Sequence, residues 1–221
     1  MKKPLVIFGI GDIAQLAHFY FSSDSEYEVV AFTVDASYIT TSDFCGLPVV
    51  AFEQIVQVYP PDTYNIFVAL GYSKLNQVRK DKYLAAKSFG YQIASFISPH
   101  ATIMNEGHVG DNCFILEGNT IQPFVTIGNN VTLWSGSCIC HHSTIKDHCF
   151  IASHVAVSGC VEVGEQCFIG ANATLRDHIK IGERCVIGAG ALLLADAEPG
   201  GVYIGAVTER ANVPSNQLKN I

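Results

Sequence analysis

An α/β domain over residues 1–96 followed by an all-β run of stacked parallel coils over 97–221 is the architecture this sequence predicts, and three observations predict it. The first is an unbroken six-residue repeat: from Ile97, every sixth residue to Leu193 is Ile, Val or Leu, seventeen positions in succession. The second is a companion column four residues after each anchor, where Cys113, Val131, Ser137, Cys149, Cys167, Ala173 and Cys185 keep to small or β-branched types. The third lies at the N-terminus, where the apolar run Pro4–Phe8 meets Gly9-Ile10-Gly11 and then Gln15–Phe21 at helical spacing.

Composition excludes several classes. The chain has 221 residues, 49% hydrophobic and 15% charged, which supplies a core and rules out general disorder. A net charge of −7 with no basic run argues against a nucleic-acid surface. No stretch of about 18 apolar residues is present to span a bilayer. The apolar run before Gly9 is too short for a secretory leader, so a cytoplasmic protein is expected. Eight cysteines form no CxxC pair, the closest being Cys138-Ser-Cys140. The spacing argues against a disulfide framework or a structural zinc site, and Cys113, Cys149, Cys167 and Cys185, separated by multiples of eighteen, read as small packing residues of the repeat.

In the first domain, Tyr27–Val34 reads as a second strand ending at Asp35. Leu47–Val50 is a further short strand. A helix over Phe52–Tyr59 stops at Pro60-Pro61; a strand over Tyr64–Leu70, a helix over Lys74–Phe89 and a strand over Gln92–Phe96 follow. This is an α/β half-Rossmann domain. Its glycines let backbone approach a phosphate at a helix N-terminus, with an acid beyond strand two, so Gly9, Gly11 and Asp35 are the candidate nucleotide contacts. Glycines that merely form a tight strand-to-helix turn are the alternative.

In the second domain each hexad is too small to bury its own anchor. Coiling the chain stacks anchor on anchor, roughly 4.8 Å apart, and pairs the backbone between coils. The spacing has no insertion between 97 and 193, so no external loop is expected. His142, His148 and His154 each stand three residues after an anchor on successive hexads. They therefore point from three different edges and cannot share one ion within a chain, and no metal site is expected.

The pattern in Ile127-Gly128-Asn129-Asn130-Val131 and Val163-Gly164-Glu165-Gln166-Cys167 resembles the hexapeptide-repeat acyltransferases. That resemblance implies an all-β left-handed parallel β-helix of five to six triangular coils. Such a helix also serves as a spacer, an assembly platform or a metal-binding body in some relatives. With a βαβ domain in front, the chain resembles the branch containing nucleotide-amino-sugar N-acetyltransferases and sialic acid O-acetyltransferases. The resemblance implies acetyl-CoA as co-substrate, a nucleotide-linked amino-deoxy sugar from bacterial glycan assembly as acceptor, and a homotrimer with acetyl-CoA between adjacent β-helices. In Ile139-Cys140-His141-His142, His141 matches the family's general base, while His142 stands where the family commonly has Glu or Asp. Gly159, eighteen residues beyond His141, matches the glycine whose amide meets the thioester carbonyl. Ala171 is a further candidate CoA contact, with Arg176, Lys180 or Arg184 for phosphates. The segment Asp196–Val207 resembles the family's C-terminal cap, although Ala206-Val207-Thr208 replaces its usual Pro-Ala. O-acetylation of a sugar hydroxyl and a non-catalytic binding or scaffold role are the alternative readings.

Overall fold

The computed structural model describes residues 2–210, 212 and 214–217. Its first domain runs β1 (Lys3–Phe8), α1 (Asp12–Asp24), β2 (Tyr27–Val34), β3 (Asp43–Phe44), β4 (Leu47–Ala51), α2 (Ile55–Val58), β5 (Asn65–Val68), α3 (Gln77–Ser88) and β6 (Gln92–Ile93). The sheet order is β3-β4-β2-β1-β5-β6, parallel except for the β3–β4 pair. β1 is a continuous apolar run because both its faces are covered. Leu5 and Ile7 pack on Ala14, Ala17 and Phe21 of α1, while Val6 and Phe8 pack on Ile55, Tyr83 and Ala86 of α2 and α3.

Three elements differ from the sequence expectation. The helix expected over 52–59 is a 3₁₀ turn, Phe52–Gln54, running into the single turn of α2. The helix expected from Lys74 starts at Gln77, because Lys74, Leu75 and Asn76 take left-handed φ values of 50°, 53° and 63°. The expected strand 92–96 divides: β6 joins the first sheet, whereas Phe96–Ile97 pairs with Phe114–Ile115 in the second domain.

The hexads form three parallel sheets that enclose a left-handed β-helix. Ile139 pairs in register with Ile121 and Val157 on the first sheet, Ile145 with Ile127 and Val163 on the second, and Ile151 with Leu133 and Ile169 on the third. Every anchor from Ile115 to Leu193 is buried, each contributing roughly 1.5–3 kcal/mol of apolar burial. Ile103 and Val109 are half-buried and Ile97 is 38% exposed, since the stack ends there. The small column four residues after the anchors also caps carbonyls. Cys113, Cys149 and Cys167 donate Sγ–H to the carbonyls of Gly128, Gly164 and Gly182, each at 3.1 Å, as Ser137 and Ser143 do through Oγ to Ala152 and Ser158. All eight cysteines are free thiols. The packing role expected of Cys113, Cys149, Cys167 and Cys185 holds, all four being buried, while Cys45 is exposed and Cys138, Cys140 and Cys160 are half-buried.

The third residue after an anchor turns each edge of the prism in the left-handed conformation. Phe124, Asn130, His142, His148, His154, Cys160, Gln166 and His178 all lie there, with φ between 55° and 65°. The first domain docks on one of the three edges and on the third sheet. The buried Arg79 Nη2 of α3 donates to the carbonyls of Asn130, His148 and Cys149, and Asn76 Nδ2, just before α3, to that of Cys167. Tyr20, Phe67 and Tyr72 pack against Phe114, Phe150 and Phe168 on the third sheet. No helix among the described residues is long and apolar enough to cross a membrane.

Candidate active site

The edge joining the first and second sheets lies opposite the sheet that the first domain covers, and it carries His141 and His142, both exposed. His141 follows anchor Ile139 by two residues, and its amide donates to Gln122 Oε1 at 2.9 Å. Its Nδ1 meets His142 Nδ1 at 3.2 Å, with the two rings nearly perpendicular at 83°. Phe124, one coil before His142 in the same column, packs against the His142 ring at 4.7 Å between centroids. Among the described residues no carboxylate pairs with either imidazole, so the acid that the family resemblance implies beside the base is replaced by a second imidazole.

Gly159 is one coil beyond His141, and it is a steric requirement of this geometry. A Cβ there would lie 2.6 Å from His141 Cε1 and 2.8 Å from Nε2. Only a residue without a side chain lets the imidazole lie flat across the coil. The Gly159 carbonyl accepts from His178 N–H, while its amide has no acceptor among the described residues. Gly159 is buried, so an N–H there without an intramolecular acceptor costs free energy until a ligand or water oxygen accepts from it. Cys160, half-buried, follows Gly159 and brings its thiol to within 4.8 Å of the His141 and His142 ring nitrogens. Register alone sets both beside the base, since Gly159 stands eighteen residues past His141 and Cys160 eighteen past His142.

Gly9 and Asp35 line a second concavity, a cleft of about 300 Å³, with Ile10, Tyr38, Val78 and Lys82. Gly9 has φ +127°, and a Cβ on it would meet the Ala69 carbonyl oxygen at 2.7 Å. Gly11 caps α1, and a Cβ there would meet nothing within 4 Å, so the helix terminus is open to the outside. Asp35 forms an ion pair with Lys82, whose ammonium also sits 5.5 Å from the Phe8 and Phe52 ring centres. Lys82 and the 68%-exposed ring of Tyr38 are the cleft residues that the sequence reading missed. Neither sits in a motif; Lys82 reads as one solvated lysine of a charged helix.

The expected CoA contacts do not lie together on one chain. Ala171 is on a different edge, beside Tyr72, Trp134 and Phe150 at the foot of the first domain. Exposed Arg176 is on the His141 edge, following anchor Leu175 as Cys140 follows Ile139. Lys180 is exposed on the second sheet, paired with Glu162, and Arg184 turns the edge that α3 covers. His148, four per cent exposed, is buried under α3 with Asn130 Nδ2 at 3.0 Å from its Nδ1, and His154 turns the third edge. His142, His148 and His154 thus diverge as their register requires.

Four overlapping matches to the bacterial transferase hexapeptide (six repeats) family between them cover residues 106–195. The second domain thus carries the hexapeptide repeats of the bacterial transferases. Solved structures resemble the chain along both domains. A variant of perosamine N-acetyltransferase from Caulobacter crescentus, in complex with CoA and GDP-perosamine, is 24% identical with a TM-score of 0.83, covering 91% of this chain and 93% of its own. The acetyltransferase domain of PglB from Neisseria gonorrhoeae is 20% identical with a TM-score of 0.80, covering 91% and 96%. WeeI from Acinetobacter baumannii is 18% identical with a TM-score of 0.79, covering 92% and 97%. At these identities the likeness shows the fold. No curated protein matches the chain.

Proposed function

We propose that this protein is an acetyl-CoA-dependent N-acetyltransferase acting on a nucleotide-linked amino-deoxy sugar in bacterial glycan biosynthesis, with His141 as general base. The observation that carries this reading is the triad of contacts at one edge: the His141 ring flat on Gly159, its Nδ1 held by His142 Nδ1, and the Gly159 amide without an acceptor. With its Nδ1–H donated to the His142 nitrogen, His141 keeps the Nε2 lone pair outward. His142 then takes the orienting role of the missing carboxylate, as a neutral acceptor.

The sugar amine gives its proton to His141 Nε2 as its nitrogen bonds to the thioester carbonyl carbon. The Gly159 amide donates to the resulting oxyanion, an interaction that typically contributes a few kcal/mol in the transition state. Collapse breaks the carbon–sulfur bond, the proton on Nε2 passes to the departing thiolate, and amide and thiol leave. The protein forms no covalent bond. Acetyl-CoA and GDP-perosamine are bound by relatives of the same fold, which supports the choice of co-substrate and acceptor class.

The Gly9–Asp35 cleft holds the nucleotide in this reading, with Tyr38 against the base. The first domain covers the sheet opposite the His141 edge, so an acceptor held in one chain's cleft reaches His141 only of a neighbouring chain. A homotrimer with three shared sites satisfies this, and it lets Ala171 of one chain and Gly159 of another border one CoA groove. The test is thiol release from acetyl-CoA with UDP-, dTDP- and GDP-linked 3- and 4-amino-dideoxyhexoses beside free sialic acid. Turnover on one nucleotide amino sugar is expected. Turnover with hydroxyl acceptors alone would move the protein to the O-acetyl branch, and silence across the panel would contradict the assignment.

A further inference from the structure

We propose that His141, His142 and Cys160 form a binding site for a thiophilic divalent ion of the zinc class, and that its occupancy switches the transfer reaction off. One nitrogen from each histidine and the Cys160 sulfur lie within 4.8 Å of one another. Two nitrogens bound at about 2.05 Å with a tetrahedral angle between them stand about 3.3 Å apart. The His141 and His142 Nδ1 atoms are 3.2 Å apart, so their separation already suits that edge, and an ion takes the place of the Nδ1 proton between them, which moves to His141 Nε2.

The fold builds the third corner. His142 and Cys160 turn the same prism edge one coil apart, both left-handed at φ 59° and 60°, which stacks their side chains. Gly159, lacking a Cβ, lets the His141 ring lean onto the Cys160 coil. Phe124 flanks the His142 ring from the coil below. Imidazole nitrogens with a thiolate select zinc-class ions over magnesium or calcium, and binding releases the Cys160 thiol proton. Both histidines are exposed, so water completes a four-coordinate shell. Cys138 and Cys140, whose sulfurs are 3.5 Å apart on the preceding strand, are outside the set.

The regulatory half rests on the proposed function. An imidazole bound to metal through Nδ1 carries its proton on Nε2, so His141 loses the lone pair with which it would accept a proton. The ion is therefore an inhibitor of the reaction rather than a cofactor of it, displaceable by a chelator.

The test is titration of the full-length, reduced, metal-free protein with Co²⁺, followed by displacement with Zn²⁺. One Co²⁺ per chain with a thiolate-to-cobalt charge-transfer band is expected. The affinity falls by more than about 100-fold in Cys160→Ser and in His142→Asn, beyond what loss of an outer-shell partner costs. Asn suits the left-handed turn at 142, so that variant tests the site even where Cys160→Ser fails to fold. The double variant Cys138→Ser/Cys140→Ser keeps the band. A smaller affinity loss than that in Cys160→Ser or His142→Asn, a band lost in the Cys138/Cys140 pair, or no band in the unaltered chain overturns the site. In the transfer assay Zn²⁺ inhibits the unaltered chain, EDTA restores it, and Cys160→Ser is resistant; equal inhibition of both overturns the switch. The cobalt titration needs no turnover, so failure of the enzymatic reading and failure of the metal site are separable.

Discussion

Two edges of the same prism carry histidine at the same register and treat it in opposite ways. His142 and His148 both stand three residues after an anchor and both are left-handed, at φ 59° and 65°. His142 is exposed, with nitrogen and sulfur neighbours, whereas His148 is sealed under α3, between Asn130 and the Tyr83 ring. The repeat fixes the backbone at each edge. What docks on the edge decides whether a side chain does chemistry or packs.

The interaction that seals the second edge gives the largest expected effect on stability. Arg79 is fully buried and no carboxylate among the described residues pairs with it; desolvation pulls its guanidinium down to about 10. Arg79→Ala strips the Asn130 and His148 carbonyls of their donor, leaves that of Cys149 with the Thr132 N–H alone and opens a cavity, at a cost of about 3–5 kcal/mol in urea unfolding. A loss below about 1 kcal/mol would mean that α3 docks without it.

On the open edge, Gly159→Ala sharpens the comparison. The added methyl, 2.6 Å from the His141 ring, tilts the imidazole, and kcat/KM falls about 10–100-fold with stability little changed. Mixed assemblies come next. Co-assembled His141→Ala and Asp35→Ala chains, each inactive alone, regain a fraction of the unaltered activity if the site is shared between chains. No recovery in verified hetero-oligomers would place cleft and base on one chain.

The smallest effect is a pH slope. Burial, with Lys80 and Arg79 nearby, pushes the His148 imidazole below 6.5 against the opposing pull of Asp147 and Glu165. The unfolded chain therefore binds a proton that the folded chain refuses, and stability falls as pH drops from about 6.5 towards the depressed value. The slope is at most about 1.4 kcal/mol per pH unit. His148→Asn should flatten it in melts between neutral and mildly acidic pH, and an unchanged slope would assign it to other groups.

The β-helix was legible because the anchors obey one rule throughout, and a buried aliphatic column tolerates no other residue type. The left-handed column was not, since Phe124, His142, Cys160 and Gln166 share no chemistry that announces φ above zero. Arg79 looked like one more cation on a helix; its burial follows from where α3 lands, which periodicity does not encode. Gly159 was found by its offset from His141, but the reason for glycine there, the imidazole lying across it, is a three-dimensional fact. The ion-pairing of Asp35 with Lys82 was hidden for the same reason, since 47 residues separate them.

The most direct test sets the two edges side by side: kcat/KM for acetyl transfer by the unaltered chain, His141→Ala and His148→Asn, each confirmed folded by its melting curve. Loss of a general base costs about 100–10,000-fold, so His141→Ala should fall by that much while His148→Asn stays within about threefold. Retained transfer in His141→Ala, or an equal loss in both variants, would contradict the assignment of the open edge as the seat of the reaction.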